Sequence, residues 1–171
     1  LWITPNTDIW LAGRATGSPP TAAHASQIIG GGPGAVFLGI INRSVGVNPP
    51  LRYGSLFGNA GDDIAVHSLH VDANDIATIG FTTSSVGLAT TSTAFQSSIV
   101  GNTPTGFILC FDPANPLAAA TVIYASYYGA TGGAVEELHV EQDTNGFFAC
   151  VATTSSPNCA TSPVSSWQNT R

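Results

Sequence analysis

Leu69-His-Val-Asp-Ala-Asn-Asp-Ile-Ala-Thr-Ile-Gly80 holds two short apolar runs on either side of Ala73-Asn-Asp75. Each run is too short for a helix. The residues between them are turn formers, because Asn and Asp bond their own backbone two residues on and tolerate left-handed φ. The stretch therefore reads as strand, turn, strand. It also recurs. Leu1-Trp-Ile-Thr4, Leu69-His-Val-Asp72 and Leu138-His-Val-Glu141 stand 68 and 69 residues apart. Each is followed by a turn and a second apolar run: Ile9-Trp-Leu-Ala-Gly13, Ile76-Ala-Thr-Ile-Gly80 and Phe147-Phe-Ala-Cys-Val151. In the third copy the turn contains Asn145-Gly146, a pair that supplies the positive φ angles of tight hairpins.

Working outward, a Thr/Ser-rich stretch follows each second run and closes on Ser26-Gln27, Phe95-Gln96 and Trp167-Gln168. Phe37-Leu-Gly-Ile-Ile-Asn42 then matches Phe107-Ile-Leu-Cys-Phe-Asp112 at a spacing of 70. Tyr53-Gly-Ser-Leu-Phe-Gly58 matches Tyr124-Ala-Ser-Tyr-Tyr-Gly129 at 71. Five blocks in one order make an internal repeat, the feature that most changes a fold assignment. One repeat holds four short strands, with a long loop between the second and third. Four antiparallel strands at a fixed period predict an all-β fold built of β-propeller blades. The expected units are blade 1 over 1–68, blade 2 over 69–137 and the first half of blade 3 over 138–171. Such a sheet must stack on its neighbours, and Phe107–Phe111, apolar without a break, suits a strand covered on both faces.

Several of these motifs resemble the bacterial SBBP family, the seven-bladed beta-propeller repeat. They are Tyr53-Gly-Ser-Leu-Phe-Gly-Asn-Ala-Gly-Asp-Asp63, Leu69-His-Val-Asp72, Ile76 to Ser85, Ala94-Phe-Gln96 and Gly106 to Pro113. The resemblance implies a propeller on an exported or cell-surface bacterial protein, with no known catalytic residues. It also implies that the strand holding Trp2, His70 and His139 lies nearest the central axis. The repeats are degenerate: Gly61-Asp-Asp63 becomes Gly132-Gly-Ala134.

Composition narrows the function classes. The 171 residues suit one domain. Only 8% are charged, against roughly 25% in an ordinary soluble domain. The cations are Arg14, Arg43, Arg52 and Arg171, with no lysine, and ten acids leave a net charge of −6. No basic stripe exists to neutralise phosphates, which excludes a nucleic-acid binder. The apolar runs are too short to span a bilayer as a helix. With no methionine and no signal segment, the chain reads as processed or partial. Two and a half blades do not close a ring. The expected partners are further blades of the same polypeptide or other subunits covering the open ends.

Candidate chemistry is sparse. Asp62, Asp63, Asp72 and Asp75 crowd one region and offer oxygens to calcium. Their spacing fits no defined calcium loop, and carboxylates accepting turn N–H groups is the favoured reading. His70 and His139, which the repeat places in successive blades, would offer a metal two imidazoles, with His67 or Glu141 completing the set. Satisfied interblade histidines are favoured instead, since His67 and His70, three apart on a strand, face opposite sides. Gln27, Gln96 and Gln168 recur, and with Trp167 they are the candidate ligand-binding residues of the long loops. A side-chain amide is also suited to tying a loop down by bonding its backbone, and that structural reading is the favoured one. Cys110 reads as a buried hydrophobe, while Cys150 and Cys159 are candidates for a disulfide. Gly30-Gly-Gly-Pro-Gly34 lacks the Lys-Ser/Thr of a phosphate loop, and no nucleophile elbow occurs. Asn42-Arg-Ser44 is a formal glycosylation sequon. The expectation is a non-catalytic extracellular scaffold without cofactor. A carbohydrate-binding module using Tyr127, Tyr128 and Trp167, or the propeller part of a secreted enzyme, are its rivals.

Overall fold

The computed structural model describes residues 1–4, 8–17, 33–42, 51–59, 61–101, 104–113, 122–143, 145 and 147–157. Among these the chain is all β, with ten strands and no helix. No helix among them is long and apolar enough to cross a membrane.

Strands β1 (Trp2–Ile3), β2 (Asp8–Ala15), β3 (Ala35–Asn42) and β4 (Leu51–Phe57) form the first sheet. Strands β5 (Asp63–Val71), β6 (Ala77–Thr83), β7 (Thr105–Phe111) and β8 (Val122–Tyr128) form the second. Strands β9 (Val135–Gln142) and β10 (Phe148–Thr154) pair in a third. Each sheet is an antiparallel meander in chain order. A repeat has no privileged origin: residues 1, 69 and 138 fall at or inside the first strand of a sheet, which begins at 2, 63 and 135.

Alternation along β7 shows how the sheets stack. Phe107, Leu109 and Phe111 join Trp10, Val36, Leu38, Ile40, Tyr53 and Phe57 of the first sheet in one buried cluster. Ile108, between them, packs instead with Val135, Leu138 and Val140 of the third sheet. The unbroken apolar run is thus a strand covered on both sides. Glycine sets the spacing at one point. A Cβ on Gly80 would stand 2.5 Å from the Leu138 carbonyl oxygen, so only glycine lets the third sheet approach this closely.

The turns account for the strand ends. Asp72 Oδ1 accepts from the N–H groups of Asn74 and Ile76, both at 2.8 Å, and Asp143 Oδ1 does the same for Asn145 and Phe147. Asp75 sits at φ +62°. The sequence of the third repeat has Gly146 at the corresponding place, where glycine carries no Cβ penalty.

These turns correct the alignment of the histidines. Asp72 and Asp143 close equivalent hairpins 71 residues apart, each donating its N–H to the carbonyl four residues on. Counting back, His70 stands opposite Thr78 and Glu141 opposite Ala149, so Glu141 corresponds to His70. His139, opposite Val151, corresponds to Ser68, opposite Gly80. The Leu-His-Val echo is therefore out of register. The physical reason is the distance to the turn: His70 stands two residues before Asp72 and His139 four before Asp143, and neither pairing slips in between; the slips of β5, at Asp63/Ala65 and Val66/Ser68, lie further out. His67 is the extra residue of the second bulge. Trp2, opposite Trp10, does correspond to His70.

Candidate functional site

The first strands of the three sheets bring their aromatic residues together. Trp2 packs edge-on against His70, with ring centroids 5.0 Å apart. His67 lies 6.1 Å from His139 and its Nε2 is 3.1 Å from Thr82 Oγ1. The two histidines of β5 thus serve opposite interfaces, and His70 and His139 belong to separate contacts. Burial lowers the His67 pKa below its usual value, Glu137 opposes that shift, and His139 adds to it. His70 Nδ1 is buried and finds no hydrogen-bond partner among the described residues.

The acidic candidates are dispersed. Both carboxylate oxygens of Asp62 receive Arg14 Nη2 at 2.9 Å, joining the first sheet to the second. Asp72 is occupied by its own turn. Asp63 enters β5 opposite Thr83. Asp75 lies 3.9 Å from Arg52, which also holds the buried Asp8 at 2.6 Å. Among the described residues no group of three or more His, Cys, Asp or Glu is placed to hold a metal ion.

Gln96 lies in the long loop between β6 and β7. Its Nε2 donates to Ser98 O at 2.9 Å and its Oε1 accepts from Gly129 N at 3.1 Å. The backbone does likewise, since Gln96 O accepts from Tyr127 N and Gln96 N donates to Ser126 Oγ, both at 3.0 Å. Thr91 N donates to Ala125 O. The loop therefore lies along β8 and uses backbone groups of an edge strand that would otherwise invite pairing. Tyr127 is buried, donating its hydroxyl to Ser85 O and accepting from Leu88 N, each at 2.8 Å. It offers no ring to a ligand. Phe95 does, being 58% exposed, with Tyr128 half-buried and 6.2 Å away.

Gln27, Gln168, Trp167 and Cys159 lie outside the described residues. Cys150 is exposed on β10, so the proposed Cys150–Cys159 bridge has one described end. Cys110 is buried, its Sγ 3.7 Å from Gln142 Oε1, and burial pushes its thiol pKa up. An apolar hollow lined by Phe57, Phe81, Leu88, Phe107 and Val122 measures about 20 Å³, too small for an organic substrate.

One recurring device escaped the reading of the sequence. Thr83 Oγ1 accepts from Ser85 N, and Ser84 binds the Asp62 backbone through both its N–H and its hydroxyl. Thr154, Ser155 and Ser156 repeat this around Ala134. The signal was present in Thr82-Thr-Ser-Ser85 and Thr153-Thr-Ser-Ser156, identical at a spacing of 71. The lost acidic pair matters little here, because the backbone of Asp62 and Ala134, not the side chain, is what these hydroxyls hold. Comparison with protein-family models, curated proteins and solved structures finds no match for this chain.

Proposed function

We propose that this chain is a non-catalytic scaffold made of β-propeller blades, part of an exported or cell-surface protein and working through protein contacts. The observation that carries this reading is the stacking of four-stranded meanders face to face in chain order, each apolar on the faces it turns to its neighbours. The resemblance to SBBP repeats supports the same architecture and the exported setting. The candidate polar residues support the absence of chemistry, since Asp62, Asp72 and Gln96 are engaged with the chain itself. Blades of this kind need neighbours on both sides, so the 17.4 kDa chain alone should associate or precipitate. Light scattering with intact-mass measurement tests this: a stable, monodisperse monomer would overturn the reading.

A carbohydrate-binding role is the second reading, favoured by exposed Phe95 beside Tyr128. Aromatic faces of this kind stack on sugars as well as on protein. A glycan array with wild type and Phe95→Ala separates the two, since the scaffold reading expects no enriched glycan.

A further inference from the structure

We propose that His67 and His139 form a two-imidazole site for a divalent transition-metal cation such as Zn²⁺, bound across the seam between the second and third sheets with water completing its coordination. The site goes beyond the scaffold reading and does not depend on whether the chain works through protein contacts.

Local backbone structure brings the two side chains together. His67 is the extra residue where the pairing of β5 slips between Val66 and Ser68, and a bulge re-aims a side chain off the alternation of its strand. His139 is exposed on β9. Beside the pair the two sheets are tied to each other, since Ser68 Oγ accepts from Val140 N at 2.9 Å. The residues that follow the two histidines are thus bonded across the seam, which limits how far the rings can part and holds the pair ready for a ligand. The place of His139 in the second sheet is taken by Ser68, which offers no imidazole, so the pair is particular to this seam.

The rings are spaced for a shared cation. Their centroids lie 6.1 Å apart with the planes tilted by 55°. A metal ion about 2.0–2.1 Å from one nitrogen of each imidazole sets the ring centres roughly 5–6 Å apart, so a small turn of exposed His139 closes the gap. His67 Nε2 lies 3.1 Å from Oγ1 of buried Thr82. With Nε2–H donating to that hydroxyl, Nδ1 keeps the lone pair that a cation takes, and a partner on the other nitrogen is what orients a ligating imidazole. Imidazole nitrogens suit zinc, copper and nickel better than calcium or magnesium. Glu137, two residues before His139 on the same face of β9, accepts from Thr153 Oγ1 at 3.2 Å, and its charge acts on His67. A carboxylate there favours a cation at the seam. As the side chains lie, no third His, Cys, Asp or Glu among the described residues completes a ligand group, so the site is two imidazoles plus water.

The test adds zinc chloride to the full 171-residue chain. Zinc at about 100 µM should raise the urea midpoint, because an ion held only by the folded state stabilises it. It should also slow amide exchange over Val66–Ser68 and Val135–Gln142, and EDTA should reverse both effects. In calorimetric titration His67→Gln and His139→Gln should each weaken zinc binding about tenfold or more. His70→Gln, whose ring would otherwise pack on Trp2, should leave it unchanged. His139 is exposed and its variant keeps the fold, so the result does not hang on half-buried His67. Absence of any zinc-dependent shift overturns the site. So does binding that survives both His67→Gln and His139→Gln, which would move the zinc to other groups such as the cysteine thiols, and so does an equal loss in His70→Gln.

Discussion

At Gly80 the second and third sheets approach closely enough that one methyl group matters. A Cβ there would meet Leu138 O at 2.5 Å and Ser68 Oγ at 2.7 Å, and Ser68 Oγ already accepts from Val140 N at 2.9 Å. Gly80→Val should cost roughly 1–3 kcal/mol through overpacking, read as a lower urea midpoint. An unchanged midpoint would mean that the two sheets do not touch there. His67 carries a pH effect. Its pKa is lowered in the folded protein by burial, against the opposing charge of Glu137. Between the ordinary value of 6.5 and that depressed one, the unfolded chain binds the extra proton. Stability present above pH 6.5 is therefore lost as pH falls through this window. Urea melts at pH 7.5 and 5.5 should differ less for His67→Gln than for wild type; equal differences would remove the desolvated histidine.

The long loop after β6 behaves as an element in its own right, because it is bonded to β8 along much of that strand. Gln96 makes two side-chain bonds, one within the loop to Ser98 O and one across this seam from Gly129 N. Gln96→Ala should cost about 1–2 kcal/mol, the worth of two exchanged hydrogen bonds. Faster hydrogen exchange should be confined to Thr91–Gln96 and Ala125–Gly129. Exchange rising equally over all strands would point to a global role instead. That a Gln recurs in the sequence was legible from its spacing; that this one secures an edge strand was not. Hydrogen bonds between residues some thirty positions apart, such as Gln96 with Gly129, depend on where the sheet places β8.

Among the described residues the apolar core divides in two. The larger cluster joins the first and second sheets, and a smaller one, centred on Leu138, joins the second and third. Truncating Leu138, which is fully buried, should cost about 2–5 kcal/mol locally. Because its cluster is separate, Leu138→Ala should expose β9 and β10 amides while β2 to β8 stay protected. Phe107→Ala, in the shared cluster, should lower protection in both four-stranded sheets. If both variants melt every strand together, the two clusters form a single cooperative unit.

Strand content, the turns at Asp72 and Asp143, and the recurrence of four-strand units could be read from the residues alone, because alternation and turn chemistry are local properties. The double-sided burial of Phe107–Phe111 was legible for the same reason: no polar residue interrupts it. Tertiary structure decided what the repeats align to. Counted back from the turns, His139 takes the place of Ser68, two positions from where the Leu-His-Val echo put it, and His67 bulges out of β5 beyond that point. Sequence identity favoured the Leu-His-Val echo, but cross-strand pairing and the closeness of Gly80 to the third sheet favour the other register. A two-residue shift keeps a side chain on its face but gives it different neighbours along the strand. That is why the strands could be found without the fold, and the neighbours of each histidine only with it.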